Sequence, residues 1–353
     1  MVKYNAKKKN NQEVVPMIEK HLTEKGLTRF NCCGNWIDFF ADLDLTKFKV
    51  FSAEFCKNRF CPVCMWRLAH KDALKISVLM DYLEQEHNRA FMFATFTAPN
   101  VKGDKLKNEI TKYNKAFKNL LQTDEVEKMN DGFIRKLEVT YNGDPEITQE
   151  YYIKAKDYCE KRNLKPGDAN PNYDTYHTHF HCIFSVTKGY FSGGRYIKQE
   201  RWLQLWRDVM KDQTITQVDV RRVKRQDKNK VSGENDLKGT AKVPDSASFD
   251  KAVLEIAKYA AKDIDFIHSS EVFDVFYTSL FRRQVLTYGG SFAKANKKYK
   301  QKELEHYKTV DGTEYVWRVM YEFAGEYREK RKKAMSKEMY EFLKKTAEDE
   351  SPM

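Results

Sequence analysis

The chain has no run of about 18 apolar residues, the length a helix needs to cross a bilayer. Its opening residues, Met1-Val2-Lys3-Tyr4-Asn5, are polar and basic, so it also lacks the apolar stretch of a secretion signal. These two absences argue against a membrane-spanning or exported protein and lead us to expect a cytoplasmic one with no membrane partner. No internal repeat is visible, which argues against solenoids and propellers. Acidic residues are in deficit, 51 against 63 lysines and arginines, and the net charge of +12 creates a field that attracts phosphate backbones. Charge alone does not separate a nucleic-acid binder from an indifferent basic protein. Histidine is scarce as well, with eight in 353 residues, so the place where histidines gather carries information.

What is present fits one large domain or two to three small ones. Hydrophobic residues make up 41% of the chain, enough for a core, while 32% charged residues and a mean hydropathy of −0.74 mark a wet surface. The 23 Phe and 20 Tyr could stack on unpaired bases or simply fill the core. A polar arm is expected over residues 1–30, followed by cysteines between Cys32 and Cys64. The stripe Leu68, Leu74, Val78, Leu79 predicts a helix from Met65 to about Glu86. Phe91 to Thr97, dense in aromatic and β-branched residues and closed by Ala98-Pro99-Asn100, predicts a buried strand. Residues 104–122 read as a helix, then Phe133–Tyr141 and His177–Thr187 as strands around a polar insertion. A short helix holds Trp202 and Trp206, Thr216–Lys224 alternates as a strand, and 225–248 is a charged loop before an amphipathic helix over 249–264. From about residue 294 the chain is lysine-rich. Interspersed helices and strands predict an α+β fold, divided as 1–86 (arm, cysteines and helix), 87–290 (sheet domain) and 291–353 (basic, largely helical tail).

The most specific chemical signal is Tyr176-His177-Thr178-His179-Phe180-His181-Cys182-Ile183-Phe184. Alternate side chains of a strand share a face. His177, His179 and His181 therefore project together, with Phe180, Cys182 and Phe184 opposite. Neutral imidazoles converging on one point suit a divalent metal, with His179 and His181 as the principal candidates and His177 as a further one. Incidental histidines on a surface strand, or a cupin-like site, would also carry the pattern. Glu138 stands inside the otherwise apolar run Leu137-Glu138-Val139, where a carboxylate is costly unless paired or metal-bound. An antiparallel neighbour would bring it beside the histidines as a third ligand; pairing to Arg or Lys is the alternative. Such a donor set suits Mn2+ or Mg2+, or zinc less selectively.

In the helix over 249–264, Val253, Ile256, Ala257, Ala260 and Ile264 form one stripe, and at about 100° per residue Glu255, Tyr259 and Lys262 fall opposite. Tyr259 is thus a candidate nucleophile. A phenol with a pKa near 10 attacks weakly unless helped. Lys262 can stabilise the phenolate or hold a phosphate, and Glu255 can act as a base toward Tyr259 or water. An ordinary amphipathic helix with polar pairs would look the same in isolation. Cys56, Cys61 and Cys64 give C-x4-C-x2-C, and with Cys33 they supply four thiolates for a structural zinc. Cys32 or His70 could replace one ligand, and redox thiols or inert buried cysteines are the alternatives. Cys159 and Cys182 are expected to carry no function. Lys57, Arg59 and Arg67 could touch DNA phosphates or be a solvated basic face.

Taken together, His179-Phe180-His181 followed by Tyr259-x-x-Lys262 resembles the HUH endonucleases, most closely the plasmid rolling-circle replication initiators with one catalytic tyrosine. Phe93–Asn100, Arg135–Thr140 and Cys56–Cys64 with Trp66 and Arg67 also match that family, so the likeness spans roughly residues 30–290. Thr178 stands where a proline is usual, on the side away from the histidines. The resemblance implies a central antiparallel sheet flanked by helices, with the tyrosine helix packed alongside. It implies that Tyr259 nicks one strand of the double-strand origin and keeps the 5′ phosphate, freeing a 3′ hydroxyl that primes a host polymerase with a host helicase. It further implies that Glu255 activates water in the terminating cleavage. Monomer or homodimer is left open. A relaxase or transposase with the same chemistry, or a zinc-containing DNA-binding regulator that never cuts, are the rival readings.

Overall fold

The computed structural model of the protein describes residues 1–225, 253, 256, 263–308 and 311–349. Among them run nine strands: β1 Trp36–Ala41, β2 Phe48–Ala53, β3 Arg89–Thr97, β4 Gly132–Asn142, β5 Thr175–Thr187, β6 Val218–Arg222, β7 Leu286–Gly289, β8 Trp317–Phe323 and β9 Tyr327–Ala334. The fold is α+β with antiparallel sheets flanked by helices. The chain forms two compact units, one of Met1–Ala69 with Thr309–Met353, the other of His70–Lys308. No helix among the described residues is long and apolar enough to cross a membrane.

The His70–Lys308 unit is built on a five-stranded sheet in the order β6-β3-β5-β4-β7, with β5 at its centre. The alternation of β5 decides its two faces. Phe180 and Phe184 pack against Phe117 of the helix Gly103–Leu121, and Phe184 also meets Trp202 of the helix Gln199–Met210. On the other face Ile183, Ile134, Phe91 and Phe93 pack with Ile76 and Leu79 of the helix Pro62–His87 and with Phe292. Burying such side chains contributes about 1.5–3 kcal/mol each before entropy is counted. Val253 and Ile256 are buried in this same cluster.

In the other unit a four-stranded antiparallel sheet has the order β2-β1-β8-β9. The β1–β2 turn is fixed by Asp42, whose Oδ1 accepts from the backbone N–H of Thr46 (2.8 Å) and Lys47 (3.0 Å). At the β8–β9 turn Gly325 adopts φ +77°, which a side chain would disfavour. Ile37, Phe39 and Tyr327 form the core of one face with Tyr4, Phe48 and Tyr321 around them. On the other face Phe40 meets Phe51 at 4.9 Å and Tyr340 of the helix Lys337–Asp349 at 5.0 Å.

Three expectations are corrected here. Residues 1–30 are not an arm: they fold as α1 (Val2–Ile18) and α2 (Glu24–Asn31), because Lys8, Asn11, Val14 and Ile18 recur on one helical face and are buried. The segment after residue 294 is not a largely helical tail, since β8 pairs with β1 across nearly the whole sequence and β9 pairs with β8. The basic run of β9 hid this strand because all its residues after Tyr327 are exposed, so no apolar alternation marks it. For the same reason the chain divides differently from the segments 1–86, 87–290 and 291–353.

Candidate functional site

The register of β4 against β5 places Glu138 directly opposite His179 and Lys136 opposite His181. All three histidines of the row point to the face that carries Ile183. Glu138 Oε2 lies 2.6 Å from His181 Nε2, and both residues are buried, at 6% and 7% exposure. A close approach of this kind needs a proton or a cation between the two atoms, since two lone pairs would repel. On its other side His181 Nδ1 is 3.2 Å from the hydroxyl of Thr95 on β3, and its ring stacks 5.9 Å from Phe93. When the Thr95 hydroxyl accepts a hydrogen bond from Nδ1–H, Nε2 is left with its lone pair, which is the tautomer a metal requires. The rings of His179 and His181 lie nearly parallel, 8° apart at 5.9 Å, and His177 approaches His179 to 4.0 Å between centroids.

Burial pushes the pKa of His177 down to about 4, which keeps its ring neutral and able to donate. The unfolded value of 6.5 exceeds the folded one, so the unfolded chain takes up more protons as acid is added. The stability from neutral His177 is therefore present above pH 6.5 and lost as pH falls through 4. Without added metal, His177→Gln is expected to flatten this part of the stability curve, by up to about 3 kcal/mol. Chemical denaturation at a series of pH values would read it, and a curve of unchanged shape would contradict the assignment.

Lys136 was not anticipated. It is 4% exposed, on the same face as Glu138 and beside His181 in the register, so a cation stands in the wall of the site. Its signal in the sequence was the alternation Lys136, Glu138, Thr140 against the apolar Leu137 and Val139. Glu255, Tyr259 and Lys262 lie outside the described residues. Their described neighbours Val253 and Ile256 are buried among Phe93, Ile134 and Ile183, on the histidine-bearing face of the sheet.

In the unit of Met1–Ala69 and Thr309–Met353, Cys33, Cys56, Cys61 and Cys64 bring their sulfurs within 4.8 Å of one another. The pairs Cys61–Cys33, Cys33–Cys64 and Cys56–Cys64 are separated by 3.4, 3.5 and 3.7 Å. These spacings are far from a disulfide bond of about 2.05 Å. They approach the edge of a tetrahedron with arms of about 2.3 Å, roughly 3.8 Å, which is the zinc–thiolate geometry. Backbone N–H groups donate to the sulfurs, from Cys56 to Cys33 at 3.4 Å, Lys57 to Cys64 at 3.3 Å and Asn58 to Cys56 at 3.4 Å. Hydrogen bonds from Cys33, Cys56 and Cys61 push Cys64 toward the thiolate, while burial pushes Cys61 up. The four cysteines could thus hold a metal ion. Cys32 is not part of this cluster, and neither is His70.

Helix α1 covers this centre with two polar residues, Lys8 and Asn11. Lys8, 1% exposed, donates to the carbonyl oxygens of Asn31 (2.8 Å) and Cys33 (2.9 Å). Asn11 donates to Phe30 O at 3.4 Å and to Cys61 Sγ at 3.5 Å. Burial lowers the pKa of Lys8, and the neighbouring cysteines oppose that shift. A buried ammonium is costly alone; were the four cysteines to hold a dication as thiolates, their net negative charge would be partly offset by it. Arg67 packs over the Phe55 ring at 3.5 Å, so it belongs to this interior more than to a free basic surface.

A profile of the family Rep_1, described as "Replication protein", matches residues 47–339. That stretch contains Cys56, Cys61, Cys64, Glu138, His179 and His181. The chain is 38% identical over 268 residues to "Protein rep" of Staphylococcus aureus, covering 76% of this chain and 95% of that protein. It is 32% identical over 280 residues to "Protein rep" of Bacillus amyloliquefaciens, covering 77% and 73% of the two chains. A "Protein rep" of Streptococcus pneumoniae is 30% identical over 284 residues, 79% of this chain and 74% of its own. No solved structure matches. A match over most of the length, together with relatives of this similarity, establishes that the chain belongs to the Rep_1 family of replication proteins.

Proposed function

We propose that the protein initiates rolling-circle replication of a plasmid by nicking one strand of its double-strand origin with Tyr259. The observation that carries this reading is the meeting of Glu138 with His181 and His179 on the central strand of a replication-protein chain. His179, His181 and Glu138 fit a divalent ion, Mn2+ or Mg2+, with His177 beside them; two imidazoles and one carboxylate leave open positions for phosphate oxygens. Held there, the ion would supply a Lewis acid that polarises the scissile phosphate. Lys136 and Lys262 add positive charge where negative charge grows. The oxygen of Tyr259 bonds to phosphorus as the bond to the 3′ oxygen breaks, and the freed 3′ hydroxyl primes a host polymerase while a host helicase opens the duplex. The fold this implies is the HUH arrangement, with the tyrosine helix against the histidine face; buried Val253 and Ile256 support it. The second centre takes structural Zn2+ through Cys33, Cys56, Cys61 and Cys64, which fits the sulfur spacings given above.

The test is incubation with supercoiled plasmid carrying the origin and Mn2+. A single mapped nick with protein on its 5′ end is expected. Binding without any nick would instead support a regulator that does not cut. Glu255 then serves the closing step, activating water for the terminating cleavage. Glu255→Gln is expected to leave initiation nicking intact and block termination, measured on a plasmid carrying two origins; equal loss of both would remove that role.

A further inference from the structure

The exposed side of β9 reads Arg328-Glu329-Lys330-Arg331-Lys332-Lys333-Ala334, and every one of these residues is exposed. Two of the cations are engaged locally: Arg328 with Glu326 at 3.4 Å and Lys330 with Glu322 at 2.9 Å. Lys332 lies over the Trp317 ring at 5.0 Å. Arg331 and Lys333 have no carboxylate partner among the described residues. By contrast Arg318, opposite Lys333, pairs with the buried Asp38 at 2.7 Å, and Lys49 reaches Asp311 at 4.0 Å. The register puts Arg331 opposite Met320 and Lys333 opposite Arg318, so both stand on the Phe40 face of this sheet, at its outer edge. Along a strand they are about 6.8 Å apart, twice the rise per residue. Duplex DNA offers one phosphate per about 1.7 Å of axis, so successive cations on such an edge can each meet one.

We infer that β9 is a rail for the phosphate backbone of duplex DNA, held by Arg331 and Lys333 on the Phe40 face, with Lys332 adding charge at the same edge from the opposite face. The inference rests on the reading that this chain binds plasmid DNA, and it assigns the surface. A lysine-rich edge also has a simpler use, keeping an unpaired strand from recruiting other sheets. The two uses respond differently to the sign of the charge. Glutamates guard an edge as well as lysines do, but they repel phosphate.

The experiment compares wild type with Arg331→Glu/Lys332→Glu/Lys333→Glu in the full-length protein. The readout is anisotropy of labelled duplexes, one bearing the origin and one of arbitrary sequence, from 50 to 200 mM salt as the range over which phosphate contacts fade, roughly. No Mg2+ or Mn2+ is added, so cleavage does not enter and its failure or success is scored separately in the nicking assay. Circular dichroism and bound metal establish that the variant is folded. We expect weaker binding to both duplexes, on the order of tenfold at the low-salt end, and a plot of log K against log salt flatter by about 2 to 3. The matching glutamine triple variant should weaken binding less than the glutamate one. Unchanged affinity and slope in a folded glutamate variant would overturn the rail, as would loss confined to the origin sequence. Aggregation of the glutamine variant beside normal DNA binding by the glutamate one would leave edge protection as the whole explanation.

Discussion

Glu138→Gln is expected to lower metal-dependent nicking by two orders of magnitude or more, while leaving the metal-free protein as stable as before or slightly more so. Two physical readings of Glu138 disagree about that second half. If the carboxylate and His181 are a structural pair, removing its charge leaves an uncompensated partner in the interior, at a cost of about 3–5 kcal/mol. If Glu138 is there for a cation, the buried charge is a standing expense of the metal-free state, and the isosteric amide relieves it while keeping a hydrogen bond to His181 Nε2. Nicking falls because an amide is a poor ligand for a hard dication, and loss of a ligand or its orientation costs affinity tenfold to a hundredfold or so before any loss in turnover. Isothermal titration with Mn2+, a nicking assay and a denaturation curve on one preparation decide it. Strong destabilisation with Mn2+ affinity unchanged would end the metal reading. Tyr259→Phe is the companion: it should remove the 5′ adduct completely while Mn2+ binding stays at the wild-type value.

Removing the ion proposed for the four cysteines should have a still larger effect on stability. Structural zinc sites supply apparent free energies of about 10–16 kcal/mol near neutral pH. The small sheet around Ile37, Phe39 and Tyr327 is a modest core, so it should depend on the ion. Cys61→Ser is expected to drop bound zinc well below one equivalent and to abolish the cooperative transition of the Met1–Ala69 and Thr309–Met353 unit, the buried Lys8 ammonium losing the thiolates beside it. Hydrogen exchange at β1 and β8 would report this locally. Purified protein with less than about half an equivalent of zinc under reducing conditions, or a chelated protein with normal protection there, would contradict it.

The histidine strand was legible because its chemistry and its packing share one alternation: imidazoles on one side, Phe180 and Phe184 on the other. Glu138 was legible because a carboxylate between Leu137 and Val139 breaks an apolar pattern, and the register confirms its neighbours across β5. The C-x4-C-x2-C spacing marked three sulfurs, with Cys33 as the candidate fourth; these four do cluster. The resemblance drawn from these motifs agrees with the Rep_1 match. Other features depended on partners distant in sequence. Lys8 and Asn11 look like surface residues until α1 is laid over the cysteines. Strand β9 has no apolar side at all beyond Tyr327, so only its pairing with β8 identifies it. Thr95 looked like one more β-branched strand residue, and its hydroxyl acquires meaning only from His181 two strands of sequence away.

Pairing of β1 with β8 also sets an order on synthesis. Trp36–Ala41 leaves the ribosome early, yet its partner Trp317–Phe323 follows only after the whole His70–Lys308 unit has been made. Until then one edge of β1 has no native neighbour, and Phe39 lacks the ring of Tyr321 and Phe40 the rings of Tyr315 and Tyr340. A contact closed over so long a loop forms slowly. The sheet unit with the histidines can therefore complete its fold first, while the cysteine-bearing unit matures only after Trp317–Phe323 has been made. A chain broken off before residue 317 would carry every proposed cleavage residue and still lack a finished companion unit.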